Sequence, residues 1–358
     1  MNSEATTPSV IPQEARLHRL SEYEFDLPME LVAREPVENQ GLSRDQSRLL
    51  VIHRRRGVLE HRRFCDIVEY LLPGDVLVIN DSRVINSLLP GTRDDGARVT
   101  LNIFSRCPDG TWHCLVRPPR AARQGLRLTF GKRLSGRLVE QVGARAWRVE
   151  FSDPDLLWPV LSELGRPSYS MYIREPRDFE QYQTVYAQNP GSTELPAAGR
   201  HFTPELLDRI ASQGTAITRL TLHVGVSSLP IEMEDYTQHT MLPEWYEVSP
   251  QAAAEINRRR AAGGRVFACG TTCVRTLETA TGDDGVVRAG SGWAGLFIYP
   301  GFRFKACDAI ISNFHQPRST RLLLVAAFAG RELVLSAYRE AVAQRYRFYE
   351  FGDTTLMI

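Results

Sequence analysis

The chain has 358 residues, a formal net charge of +1, 43% hydrophobic and 24% charged residues. That balance is an ordinary globular one; it excludes a collagen-like or charge-swollen disordered chain and a globally basic nucleic-acid coat. The longest apolar stretches, such as Leu322–Ala329, are too short to cross a bilayer. The six cysteines, Cys65, Cys107, Cys114, Cys269, Cys273 and Cys307, form no CxxC pair, so neither a disulfide framework nor a closely spaced zinc motif is expected.

Residues 1–20 carry Glu, Pro, Gln and Arg with no apolar core. They are expected to be a flexible tail rather than a signal peptide, which places the chain in the cytoplasm. Phe25 to Val32 suggests a strand or loop entering a helix near Pro28, Leu49–His53 suggests a strand, and Phe64–Leu72 has helical spacing before Pro73-Gly74. From Asp75 the runs DVLVIN, ARVTLNIF, TWHCLVRP, LRLTF, GRLVEQ and AWRVEF recur, broken by Gly, Pro and Asp-Gly. Short β-branched strands with frequent turns predict an inserted β-barrel over 75–152. The predicted fold class is therefore α/β, with a large domain of helices on a mixed sheet built from 21–74 and 153–358.

After Phe151 the pattern predicts helices over Asp155–Leu164, Pro204–Gln213 capped by Thr203, Pro250–Ala262 led by Ser249, and Cys273–Thr281. Strands are predicted over Ile217–His223, Arg265–Cys269, Gly295–Ile298 and Ala309–Ile311. Four polar loops leave these elements: GSTELPAAGRHFT (191–203), TLHVGVSSLP (221–230), GTTCVRTLE (270–278) and SNFHQPRST (312–320). Ligands of α/β proteins settle at the carboxyl ends of strands, so gathered His, Arg, Asn and hydroxyl residues there predict an enzyme site.

Gly270 allows close backbone approach, and Thr271 and Thr272 bring hydroxyls to a positive helix end, a setting for a carboxylate. Arg275 and Glu278 lie one turn apart; a capped helix with a surface ion pair is the plainer reading of that spacing. Asn313, His315, Ser319 and Thr320 repeat the arrangement before the apolar helix RLLLVAAFAG. His201, His223 and His239 lie in successive loops, and His is the side chain most easily tuned for proton transfer near neutrality. Cys273 opens a helix, where a thiol pKa falls, and is expected to line the pocket rather than attack. No GxGxxG follows a first strand, and no GxxxxGK[ST] or GxSxG motif is present.

Only Lys132 and Lys305 are lysines, so the positive charge is almost wholly guanidinium. Arg258–Arg260 on a helix suit a solvated face. Arg117, Arg120, Arg123 and Arg127 in a Pro-rich barrel segment suit phosphate.

With these motifs the chain resembles the S-adenosylmethionine:tRNA ribosyltransferase-isomerase family of the queuosine pathway. The resemblance runs from Tyr23 to Ile358 through FDLPMELVA, PGDVLVINDSRV, YQTVYA, AAGRHFT, TLHVG, GTTCVRTLE, SGWAGLFIYPGF, SNFHQPRST and YRFYEFGD. It implies an α/β domain with an inserted barrel and no redox cofactor or metal. S-adenosylmethionine would be a substrate that donates its ribosyl part to a 7-aminomethyl-7-deazaguanine of tRNA, giving an epoxycyclopentane with release of adenine and methionine. Removing a proton beside the sulfonium, and giving one to adenine, needs an acid and a base. His201 and His223 are the expected catalytic pair, with Glu278 behind them. Arg275 with Thr271 and Thr272 would hold the methionine carboxylate. Asn80, Asp81 and Arg83 would reach in from the barrel, with Tyr186, Ser192, His239, Gly270, Asn313, His315, Ser319 and Thr320 completing the binding set.

The sequence departs from the family pattern at Glu194, Ala197 and Arg200, in Gly225–Pro230, at Leu242, and by a small insertion at Asn39–Leu42. These changes fall in the expected site. They leave open a paralogue using a small-molecule acceptor or acting as a lyase, and a non-catalytic RNA-binding protein of the same fold.

Overall fold

The computed structural model describes residues 18–142, 146–169, 172–173, 178–225 and 230–358; most of the expected tail and residues 226–229 of the 221–230 loop lie outside them. Four apolar runs build the centre of the molecule as parallel neighbours: β3 (Val76–Asn80), β12 (Ala216–Leu222), β14 (Val266–Cys269) and β16 (Ala309–Asn313). Strands buried on both faces read as near-continuous hydrophobic sequence, as β3 and β14 do. Antiparallel β13 (Glu244–Val248) and β15 (Gly290–Ala294) extend one side. On the other side lie β17 (Thr354–Met357), β1 (Arg48–His53) and β2 (Val58–Arg63), giving the order β15-β13-β12-β3-β14-β16-β17-β1-β2.

The pleat sends alternate residues to two cores. Val76, Val78, Val266, Ala268 and Ile310 face helices α3 (Pro250–Ala261), α4 (Gly270–Ala280), α5 (Thr320–Ala329) and α6 (Arg331–Ala343). Leu77, Ile79, Phe267 and Ile311 face α2 (Pro204–Ser212) and Phe64, Ile67 and Phe202. Thr203 and Ser249 cap α2 and α3 as expected, accepting from Leu206 N and Ala252 N.

The barrel closes from six antiparallel strands: β5 (Leu88–Arg93), β6 (Arg98–Arg106), β7 (Trp112–Arg117), β8 (Arg127–Phe130), β9 (Leu134–Val142) and β10 (Ala146–Phe151). Leu89, Leu101, Ile103, Leu128 and Phe130 fill it, and helix α1 (Leu157–Leu164) adds Leu157, Val160 and Leu161.

Several expectations are corrected. DVLVIN is not the first barrel strand; it is β3, central in the main sheet, and the barrel starts at Leu88. The true first strand, LLPGTR, is disguised by Pro90 and Gly91. A Cβ at Gly91 would lie 2.6 Å from the Phe130 ring, so glycine is needed for the barrel to close. Residues 295–298 form no strand; the ladder ends at Ala294, and the Leu296 carbonyl instead accepts from Arg275. Phe64–Glu69 and Met29–Leu31 are short 3-10 turns rather than helices. Helix α4 starts at Gly270, so Cys273 lies inside it, fully buried, and burial raises its thiol rather than activating it.

Candidate active site

The carboxyl ends of β3, β12, β14 and β16 open on one side of the sheet, and their loops make the site. Asn80 ties two of them together: its Nδ2 donates to Leu222 O (2.9 Å), and its Oδ1 accepts from Leu222 N and Ser82 N. Beyond it a two-stranded parallel ribbon forms from β4 (Ser82–Val84) and β11 (Asn189–Ser192). The ribbon places two hydroxyls against the residue that follows β12. Ser82 Oγ lies 2.8 Å from His223 Nδ1 and 2.6 Å from Ser192 Oγ, and Ser192 Oγ accepts from Val224 N (2.9 Å).

The imidazole of His223 stacks on Trp245 (5.0 Å between centroids, 21° between planes). It also covers Gly191, where a Cβ would lie 2.5 Å from the ring. Because the Val224 N–H must donate, Ser192 is free to donate to Ser82, and Ser82 to Nδ1. That order satisfies every hydroxyl and leaves the neutral ring with its proton on Nε2. Burial holds the imidazole down to about 4, against a weaker upward pull from Glu244.

The next residue, Val224, lines a narrow crevice that is partly open to solvent. Its walls are the first turns of α4 and α5 and the apolar segment Leu296–Ile298. Gly270 turns into α4 with φ of 90°, and no side chain caps this helix end. Its positive end therefore faces the crevice with Thr271 and Thr272. Thr272 Oγ1 is buried without a hydrogen-bond partner among the described residues. Two guanidiniums reach the walls. Arg275 is clasped by Glu244, which is wholly buried, and donates to the Ala294 (2.6 Å) and Leu296 (3.3 Å) carbonyls; Glu244 also accepts from Gly225 N. Arg321 pairs with Glu194 at 2.9 Å. Near them Tyr182 donates to Glu350 at 2.6 Å, and burial, aided by Glu194, lifts the Glu350 carboxyl to about 7.

Of the expected residues, Thr271, Thr272, Arg275 and Thr320 come together at this crevice, with Gly270 preceding Thr271 in the chain and His223 and Ser192 beside it. Others do not. His201 is packed under Phe64, with Nδ1 2.7 Å from Ser47 Oγ and Nε2 3.4 Å from Asn313 Nδ2; burial takes it down to about 3. A ring held at both nitrogens in the core is a structural one. Glu278 turns away from Arg275 and accepts the backbone N–H groups of Lys305, Ala306 and Cys307, fixing that loop. Asn80 and Asp81 belong to the main sheet rather than the barrel, and Asp81 is consumed by Thr221 and Asn189. Arg83 pairs outward with Glu180. Tyr186 packs into the core below the site, its hydroxyl against Gly199. Asn313 donates to Tyr349 O, His315 holds Ser312, and Ser319 caps α5. His239 packs edge-on against Phe297, one layer behind the crevice.

Two departures explain each other. Arg200 is buried and points away from the crevice into an ion pair with Glu38, beside the inserted Asn39–Leu42, while its Nε donates to Gln181 O. Glu194, by contrast, does reach the site through Arg321.

Sequence reasoning missed Ser82, Glu194, Glu244, Arg321, Trp245 and Glu350. Ser82 and Arg321 sit within or beside quoted motifs, and an arginine opening an otherwise apolar helix is itself a signal. Glu244 and Glu247 stand three apart in the aromatic strand EWYEV, so they point to opposite faces and one of them must turn inward. Among the described residues no cluster of three or more His, Cys, Asp or Glu side chains is placed to hold a metal ion.

A mixed sheet whose strand-end loops form one crevice, with a barrel inserted after its central strand, defines a two-module α/β enzyme. The chain belongs to the family described as Queuosine biosynthesis protein, which matches it over residues 20–357. It is 50% identical to the S-adenosylmethionine:tRNA ribosyltransferase-isomerase of Symbiobacterium thermophilum, over 95% of this chain and 100% of that one. The enzyme of the same name from Moorella thermoacetica is 49% identical over the same shares. Among solved structures, S-adenosylmethionine tRNA ribosyltransferase from Thermotoga maritima superimposes with a TM-score of 0.54 at 36% identity, covering 94% of this chain and all of that one.

Proposed function

We propose that this chain transfers and isomerises the ribosyl moiety of S-adenosylmethionine onto a 7-aminomethyl-7-deazaguanine of tRNA, releasing adenine and methionine. The observation that carries the reading is identity near one half along the full length of enzymes bearing that name. S-adenosylmethionine is a substrate, and the chain's partners are that nucleoside and tRNA. We place the protein in the cytoplasm, where both occur; among the described residues no helix is long and apolar enough to cross a membrane.

The crevice supplies fitting chemistry. The α4 N-terminus with Thr271 and Thr272 suits the methionine carboxylate. Arg275, already clasped by Glu244, shapes this wall instead of carrying the substrate. His223 is the acid–base residue. A neutral imidazole serves first as the base, and the imidazolium it becomes can then protonate departing adenine. If the two serine hydroxyls reverse, Nδ1–H donates to Ser82 and Nε2 becomes free to take the proton beside the sulfonium. Its low pKa keeps the ring neutral at physiological pH, so both tautomers are available.

The test is adenine release from S-adenosylmethionine with and without tRNA bearing the modified base. Release that depends on the tRNA is expected. Release without RNA would replace the acceptor by a small molecule or water, and no release under either condition would leave only binding.

A further inference from the structure

We infer that the end of the barrel carrying Arg117, Arg120, Arg123 and Arg127 is the surface that docks the phosphate backbone of the RNA substrate, an inference that rests on the function proposed above. Arg117 closes β7, Arg120 sits in the 3-10 turn Pro119–Ala121, Arg123 follows it, and Arg127 opens β8. All four are exposed. None makes a side-chain hydrogen bond or ion pair with another described residue, and residues 117–127 contain no Asp or Glu.

The other arginine clusters are spent inside the protein. Arg258 and Arg259 bind Glu255, and Arg260 donates to the Gly285 and Lys305 carbonyls. Arg62 binds Glu60, Arg63 donates to Gln46 O, and Arg54 donates to Phe328 O and Asp308 O. Among the described residues, this barrel run keeps four neighbouring guanidiniums without a carboxylate partner.

The register makes this arrangement unfavourable for folding. Arg127 lies directly opposite Arg137 across β8 and β9; facing like charges destabilise a sheet, although Arg137 has a carboxylate of its own in Glu150. Arg98, also exposed, joins the same end, since it opposes Thr92, the partner of Thr129. The acids there are few: Asp94 and Asp95 in the β5–β6 turn and Glu150 on β10, of which Asp95 is taken by Arg93 and Glu150 by Arg137. Guanidinium forks without carboxylates are suited to phosphate oxygens.

Position selects a polymer over a small anion. The opposite end of β6 meets the active-site module: a Cβ on Gly225, next to Val224, would lie 2.6 Å from Phe104 O. Arg98 and Thr100, the latter opposite Arg117, are six and four residues back along that strand. At roughly 3.3 Å per residue this is about 13–20 Å. One nucleoside cannot bridge the crevice and the arginines; a folded RNA with its modified base in the crevice can.

The experiment measures binding of tRNA carrying 7-aminomethyl-7-deazaguanine between 50 and 300 mM salt. Variants are R117Q/R120Q/R123Q/R127Q, the same four changed to Lys, and R258Q/R259Q as a control cluster. Each phosphate contact contributes about 0.7–0.9 to the slope of log K against log salt. The Gln variant is expected to lose about three from that slope, while the Lys and control variants keep the wild-type value. Adenine release at saturating tRNA is expected to be unchanged. An unchanged slope in the Gln variant, or an equal loss in the control, overturns the assignment. Wild-type protein that binds no tRNA overturns the proposed function itself.

Discussion

Replacing Arg275 by Met tests whether this residue is scaffold or substrate contact. The change leaves Glu244 as a wholly buried carboxylate without its guanidinium, and strips donors from the Ala294 and Leu296 carbonyls. Breaking a buried pair by removing one partner costs about 3–5 kcal/mol, because the remaining charge stays desolvated. The double variant E244Q/R275M removes that charge, so it should be more stable than R275M alone. A residual loss of about 1–3 kcal/mol should remain from the unmet polar groups. Urea unfolding gives the size of the loss, and amide hydrogen exchange over residues 290–294 locates it. A loss below about 1 kcal/mol in R275M, or a double variant no more stable than the single, would refute the buried-clasp reading.

Four further variants have outcomes set by the geometry. His223→Gln should lower the rate of adenine release by about 10²–10⁴ while leaving the fold intact. Ser82→Ala should lower it less and displace the pH profile, because the hydroxyl relay sets the tautomer; wild-type rates in His223→Gln would remove His223 from the chemistry, and in Ser82→Ala would remove the relay. His201 titrates near 6.5 when unfolded and at about 3 when folded, so the native state resists its protonation. It makes no pH-dependent contribution above pH 6.5, and stability falls as pH drops from there toward 3, by up to about 1.4 kcal/mol per pH unit for this group. His201→Asn should flatten the acid limb of a stability–pH curve without changing adenine release at neutral pH, and an unaltered acid limb would contradict this. Gly199→Ala would place a Cβ 1.9 Å from the Tyr186 hydroxyl, costing about 1–3 kcal/mol by overpacking. Tyr186→Phe should recover much of that loss in the double variant, as read from the unfolding midpoint.

The local architecture was legible because local chemistry specifies it. Pro-led helices capped by Thr203 and Ser249, the strand RVFAC running into Gly270, and the short β-branched barrel runs all reappear where periodicity and caps placed them. Errors arose where two assignments fit one pattern. DVLVIN reads equally as a barrel strand or a buried parallel strand, and only its pairing with β12 and β14 decides. LLPGTR looks like a loop until the Phe130 ring is seen to need the space at Gly91.

The site divides in the same way. That hydroxyls, histidines and arginines gather at strand ends was readable from the chain, because each motif is a few contiguous residues whose backbone course is set by glycine, proline and caps. Which of those side chains face the crevice was decided only by tertiary structure. Arg275 meets Glu244 across 31 positions, His201 meets Ser47 across 154, and Arg200 meets Glu38 across 162. A buried polar group must find its partner wherever the fold brings one. Those distant partners turned His201, Glu278 and Arg200 into framework and left His223, Thr271 and Thr272 to face the crevice.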